Sequence, residues 1–182
     1  MAYQIISFLL DVVAGLLGGA CLLRMYMQYQ RIAFGNPVGR FIFALTDWIV
    51  LPLRKVLPSV GRVDTASLVA VYLIELAQFA LLWLLAGRAS GFEILPLLAI
   101  FGVARLVISG LTGLVIVYAI LSWVQADSPI AEIIDRLCAP LLRPWRKLVP
   151  TVGGIDLSPL VFLVVLQVIA IVLAYLQAAV LR

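Results

Sequence analysis

Histidine is absent from this 182-residue chain. That removes the side chain that most often shuttles protons, ligates metals and holds haem iron from the axial side. Cysteine occurs twice, as Cys21 in an apolar run and Cys138 in a connecting segment. Two free, packed thiols follow from that placement rather than a disulfide. Charge is scarce too: Asp, Glu, Lys and Arg make up 12% of the residues, against about 25% in an ordinary soluble domain. The sequence contains no glycine-rich phosphate loop, no cluster with metal-ligand spacing and no Ser/His or Cys/His pair. No catalytic residue, metal or cofactor is therefore expected, and the chain does not read as an enzyme. Its basic residues are scattered along segments next to apolar runs, which argues against nucleic-acid recognition.

Apolar surface is what the chain has in abundance, at 65% hydrophobic residues. Four stretches reach the roughly 20 residues needed to cross a hydrocarbon core: 3–23, 65–86, a long one within 94–123, and 159–181. The first does not read as a secretory signal, because no Lys or Arg precedes it and Arg24 follows it. The expected fold is an all-α membrane protein with about four transmembrane helices. Arg31, Arg40, Arg54, Lys55 and Arg62 fall between spans one and two, and Arg136, Arg143, Arg146 and Lys147 between spans three and four. The other side has Arg88 and Arg182, with Arg105 near a span end. By the positive-inside rule both connecting segments are cytoplasmic. A multi-pass protein of the cytoplasmic (inner) membrane is expected, with both termini outside.

The chain also repeats itself. Pro52-Leu53-Arg54-Lys55-Val56-Leu57-Pro58-Ser59-Val60-Gly61-Arg62-Val63-Asp64 returns 92 positions later as Pro144-Trp145-Arg146-Lys147-Leu148-Val149-Pro150-Thr151-Val152-Gly153-Gly154-Ile155-Asp156. The shared skeleton, P-x-R-K-x-x-P-x-V-G-x-x-D, agrees in Pro, Arg, Lys, Gly and Asp, residues that do not coincide cheaply in an apolar chain. An internal duplication follows. Its halves are residues 1–87 and 94–182, each reading span, linker, span. Two spans per repeat make the repeats parallel.

Each linker opens on a cap followed by proline, Asn36-Pro37 and Ser128-Pro129, as helices do. The segments that follow are too short to span. In the first, Arg40, Asp47 and Arg54 recur every seven residues, with Phe41, Leu45, Trp48 and Ile49 on the other side. In the second, Glu132, Arg136, Ala139 and Arg143 stand opposite Ile130, Ile133, Ile134 and Leu137. Both read as amphipathic helices on the cytoplasmic side, interfacial or re-entrant, with the apolar face toward the bilayer. Pro52, Pro140 and Pro144 predict two short helices per linker with a bend between them.

Three groups of residues are candidates for function. Arg54, Lys55, Arg143, Arg146 and Lys147 either set topology by snorkelling at the cytoplasmic face or form a basic platform for lipid or a partner. Each such charge contributes roughly 1 kcal/mol at an anionic surface. Asp64, Asp156 and Ser158 read as helix caps beside the turns at Gly61 and Gly153. Asp11, Glu75, Arg105 and Gln167 are polar groups inside spans, which are costly there. The register of 92 sets Glu75 opposite Gln167, and a register of 94 between the first spans sets Asp11 opposite Arg105. These four are expected to meet across the pseudo-two-fold axis as an ion-pair and hydrogen-bond network, or else as a conduction or proton-coupling element.

Taken together, Leu22-Leu23-Arg24-Met25-Tyr26-Met27-Gln28, Asn36-Pro37, Leu51-Pro52-Leu53-Arg54-Lys55 with Pro58, and Asp64 with Ser67 form one set of motifs. The other is Ser122-Trp123, Ser128-Pro129, Pro140-Leu141-Leu142-Arg143-Pro144-Trp145-Arg146 and Gly153-Gly154-Ile155-Asp156-Leu157-Ser158-Pro159. Over nearly its whole length the chain resembles the YggT family, called YlmG in Gram-positive bacteria. The resemblance implies a small membrane protein without an established catalytic activity. Relatives are tied to osmotic stress and potassium uptake, to septum and nucleoid organisation, and in plastids to cytochrome assembly, a role that a chain without histidine fits poorly. The expectation is an assembly or envelope-homeostasis factor with a basic cytoplasmic face. The alternative is a small cation (potassium) uptake protein, or a transporter subunit, active in osmotic stress. Expected partners are anionic lipid headgroups, a protein at the cytoplasmic face and further copies in a homo-oligomer.

Overall fold

The computed structural model describes residues 1–87, 91–124, 128–149 and 156–180. The polar turn at 125–127, the second-half glycine turn at Gly153, and Arg88 and Arg182 lie outside the described residues. The described residues form six α-helices: α1 (Ala2–Tyr29), α2 (Pro37–Val56), α3 (Thr65–Leu85), α4 (Leu95–Val124), α5 (Pro129–Arg146) and α6 (Ser158–Val180). A short 3-10 turn, Phe92–Ile94, leads into α4. Four of them, α1, α3, α4 and α6, are long and apolar enough to cross a membrane. The order span, linker helix, span occurs twice, so the fold is an all-α membrane protein of two parallel repeats.

Local chemistry sets the helix ends. Arg31 ends α1 in a left-handed conformation, φ 57°. Its amide donates to the Gln28 carbonyl at 3.1 Å and the Ile32 amide to the Met27 carbonyl at 3.0 Å, a Schellman closure with its usual apolar contact between Ile32 and Met27. At the start of α2, Asn36 Oδ1 accepts from the Gly39 amide at 2.8 Å. Ser128 Oγ accepts from the Ala131 amide at 3.1 Å to open α5. Proline occupies the first turn of both helices.

Neither linker breaks in two. The expected bend is replaced by one continuous helix in each, running through Pro52 in α2 and through Pro140 and Pro144 in α5. A proline costs a helix its own N–H bond and strains the turn before it. All three prolines are exposed, so the carbonyls they leave unpaired sit on an open face instead of in the core.

α1 packs on α3 and α4 on α6, while α3 and α4 join the repeats and α1 crosses α4. An added Cβ at Gly18 would lie 2.5 Å from Leu106 Cδ2, so glycine lets α1 and α4 approach closely. α2 lies against α1 and α3, and α5 against α4 and α6. The linkers meet at one end of the molecule. Met27, Ile32 and Ile42 pack with Ile133 and Leu137, and the Tyr26 hydroxyl donates to the Leu137 carbonyl at 2.8 Å. The two-fold relation is incomplete: among the described residues α6 makes no contact with α1 comparable to that of α3 with α4.

Candidate functional site

The repeated motif folds into the same ion pair in both halves. Arg54 Nε donates to Asp64 Oδ1 at 3.3 Å, and its Nη2 donates to Asp64 Oδ2 and, at 2.9 Å, to Gln28 Oε1. Ser67 Oγ donates to Asp64 Oδ2 at 2.7 Å. Asp64 is fully buried. Burial opposes its ionisation, yet the bonds from Arg54 and Ser67 win and hold the carboxyl below its ordinary value. In the second half Arg146 Nε donates to Asp156 Oδ2 at 2.9 Å, and its Nη2 reaches the Tyr118 hydroxyl. Asp156, more open, is lowered in the same direction: burial again opposes, outweighed by hydrogen bonds from Ser158 and Arg146.

Arginine and aspartate ten residues apart thus tie the end of each linker helix to the start of the following span. This changes the part played by the expected caps. Asp64 stands at the N-cap of α3, and its carboxylate also goes to the guanidinium, the stronger charge-assisted donor. Asp156 Oδ1 accepts the Ser158 amide at 2.9 Å. Of the five basic residues singled out from the sequence, Arg54 and Arg146 are therefore neutralised internally. Lys55, Arg143 and Lys147 are exposed and form no ion pair among the described residues.

A buried cation went unassigned from the sequence. Arg24 is 2% exposed. Its Nη1 donates to Thr46 Oγ1 and Asp47 Oδ1, both at 2.7 Å, and the guanidinium lies 4.6 Å from the centre of the Phe43 ring. The repeat held the signal. In the registers above, Arg24 corresponds to Tyr118, Thr46 to Cys138 and Asp47 to Ala139, so both members of the charged pair are neutral in the second half. There Cys138 Sγ contacts the Leu114 carbonyl at 3.7 Å, and burial pushes its thiol up to about 12.

Inside the bilayer, three of the four expected network residues come together. Asp11, Glu75 and Arg105 line one pocket of about 260 Å³ with Gly15, Gln78, Leu106 and Ser109. Gln167 does not join them. It lines an adjoining pocket of about 330 Å³ between α4 and α6, with Arg105, Ser109, Thr112 and Gln177 among its walls. The expected contact of Asp11 with Arg105 is not made: among the described residues no ion pair joins them. Asp11 accepts instead from the Gln78 amide, a residue the charge pattern gave no reason to choose. Glu75 is 3% exposed, and among the described residues its Oε2 has no hydrogen-bond partner. A Cβ on Gly102 would lie 2.0 Å from that oxygen, so glycine in α4 makes the space the carboxylate occupies. Among the described residues no group of three His, Cys, Asp or Glu is placed to hold a metal ion.

The family model for CCB3/YggT matches this chain twice, over residues 3–85 and 97–177. The chain belongs to the CCB3/YggT family. Each match takes in one span–linker–span unit, so the family's repeat coincides with the structural one. The "Uncharacterized protein YggT" of Escherichia coli (strain K12) is 39% identical over 171 residues, covering 90% of this chain and 86% of the relative. An uncharacterized protein of Vibrio alginolyticus is 35% identical over 167 residues, covering 88% and 89%. One from Pseudomonas aeruginosa is 38% identical over 152 residues, covering 81% and 77%. No solved structure matches the chain.

Proposed function

We propose that this CCB3/YggT protein is a non-enzymatic assembly or envelope-homeostasis factor of the inner membrane, with its termini outside and its linker helices lying amphipathically at the cytoplasmic surface. Its basic face holds anionic lipid headgroups or an acidic partner. One observation carries the reading. The motif arginines are spent on bracing each linker to the next span, while Lys55, Arg143 and Lys147 remain exposed and unpaired among the described residues on those braced helices. Fixed scaffolding with free charges beside it suits adhesion to a surface. At about 1 kcal/mol per charge, three charges favour an anionic surface by roughly a hundredfold.

The test is native mass spectrometry of the purified protein carrying Lys55→Gln, Arg143→Gln and Lys147→Gln together. The variant should stay folded and lose co-purified phosphatidylglycerol, and wild type should lose it as salt rises, because screening shortens the reach of exposed charge. Undiminished lipid retention by the folded variant refutes the basic face.

A second reading, the potassium-uptake protein or transporter subunit, is favoured by Asp11 and Glu75 sharing a pocket within the spans. Potassium flux into vesicles, present in wild type and lost in folded Glu75→Gln, would establish it in place of the first.

A further inference from the structure

α3 is 21 residues long, about 31 Å at 1.5 Å per residue, which matches a hydrocarbon core of about 30 Å. Glu75 is its middle residue, so the pocket it lines lies at the depth where charge is costliest. The pocket is open, because Asp11, Arg105 and Ser109 are all exposed. It continues into the cavity between α4 and α6, the two sharing Arg105 and Ser109.

The two ends differ in chemistry. At the α1–α3 end stand acceptors: the carboxylates of Asp11 and Glu75, and the side-chain oxygen of Gln78, whose NH₂ is given to Asp11. At the α4–α6 end stand donors: the Arg105 guanidinium, the Ser109 hydroxyl and the amides of Gln167 and Gln177. Opposite charges line one space without forming an ion pair among the described residues. The second oxygen of Glu75 is buried without a hydrogen-bond partner among the described residues, and Arg105 is exposed beside it in the same pocket. A lone cation would leave the guanidinium unmatched, and a lone anion would leave Glu75 unmatched. A molecule with both charges answers both ends and brings no net charge into the bilayer.

We propose that this bipolar cleft binds a small zwitterion, its ammonium against Asp11, Glu75 and Gln78 and its anionic group against Arg105, Ser109 and Gln167. The volume suits an amino-acid-sized solute or the headgroup of phosphatidylethanolamine, which share this chemistry. The proposal is independent of the basic cytoplasmic face.

The test has two arms. For a free solute, equilibrium dialysis of the purified protein uses radiolabelled glycine, 3-aminopropanoate and 4-aminobutanoate, a ladder of increasing charge separation, with potassium chloride and phosphate as competitors. For a headgroup, the protein is placed in nanodiscs of equal phosphatidylethanolamine and phosphatidylglycerol, and the retained lipid is read by native mass spectrometry. Saturable binding in either arm, weakened at least tenfold by Glu75→Gln and by Arg105→Gln and not displaced by potassium or phosphate alone, supports the proposal and names the source. Gln167→Ala, on an exposed face, keeps the test sound should a charge variant fail to fold, and it too should weaken binding. No zwitterion bound in either arm, binding unchanged in the folded variants, or full displacement by potassium or phosphate overturns it.

Discussion

At the scale of single residues, the conserved chemistry between the repeats is an arginine pairing with an aspartate ten positions on, but the two pairs differ in depth. Asp64 is fully buried with Arg54 35% exposed, whereas Arg146 and Asp156 are both partly open. Removing one member of a buried pair costs about 3–5 kcal/mol, and an exposed pair contributes about 1 kcal/mol or less. Asp64→Asn should therefore lower the melting temperature in detergent far more than Asp156→Asn. The loss should also depend on pH. Because the folded Asp64 carboxyl lies below its ordinary value, the pair's contribution is complete above the unfolded value of about 3.9. It disappears as pH falls through the lower, folded value. Melting temperatures of wild type and Asp64→Asn should differ by a constant amount above about pH 5 and converge in stronger acid. A gap that stays constant down to acid denaturation would mean that Asp64 acts through something other than its charge.

At the scale of elements, the linkers show how one framework accepts two chemistries. In the first repeat α1 and α2 are joined through Arg24 with Thr46 and Asp47; in the second, Tyr118 and Cys138 occupy the corresponding places, and Ala139 stands where Asp47 does. Asp47→Ala alone strands a guanidinium that is almost fully buried. It should cost about 2 kcal/mol, below the buried-pair range because Asp47 itself is 42% exposed. Adding Arg24→Tyr, which gives these two positions the residues of the second repeat, should recover most of that loss, and a double-mutant cycle on thermal unfolding measures the coupling. Additive losses would show that the repeats do not exchange these pairs. The helix starts at Asn36 and Ser128 were legible in the sequence because a cap and a proline act over three residues. The continuity of α2 and α5 through their prolines was not, since its cost depends on where the freed carbonyl faces. Asp11, Glu75 and Arg105 stood out as charges in apolar runs. Gln78 and Arg24 did not, because a neutral amide gives no alarm and an arginine at a span end reads as an anchor.

At the scale of the molecule, the duplication made the parallel repeats legible, but not the way they lean on each other. Register sets Gln167 opposite Glu75, yet α6 packs on α4 and leaves the α1 side open, so Gln167 faces a different cavity. Close packing decides that, through contacts such as Gly18 against Leu106 and Gly102 against Glu75. What the architecture does fix is a relation between ends. The linkers share an apolar cluster and the Tyr26–Leu137 hydrogen bond, so both must lie on one side of the membrane, with Glu93 on the other. The positive-inside rule predicts that the linker side, which carries most of the basic residues, is the cytoplasmic one. Single cysteines placed at Lys55, Lys147 and Glu93 in a background with Cys21 and Cys138 replaced should report this directly. A membrane-impermeant maleimide should label Glu93→Cys in intact cells and reach Lys55→Cys and Lys147→Cys only after permeabilisation. The inverse pattern would reverse the orientation while leaving the fold intact. Labelling that separates Lys55 from Lys147 would break the fold itself, because parallel repeats joined through their linkers cannot place those two residues on opposite sides.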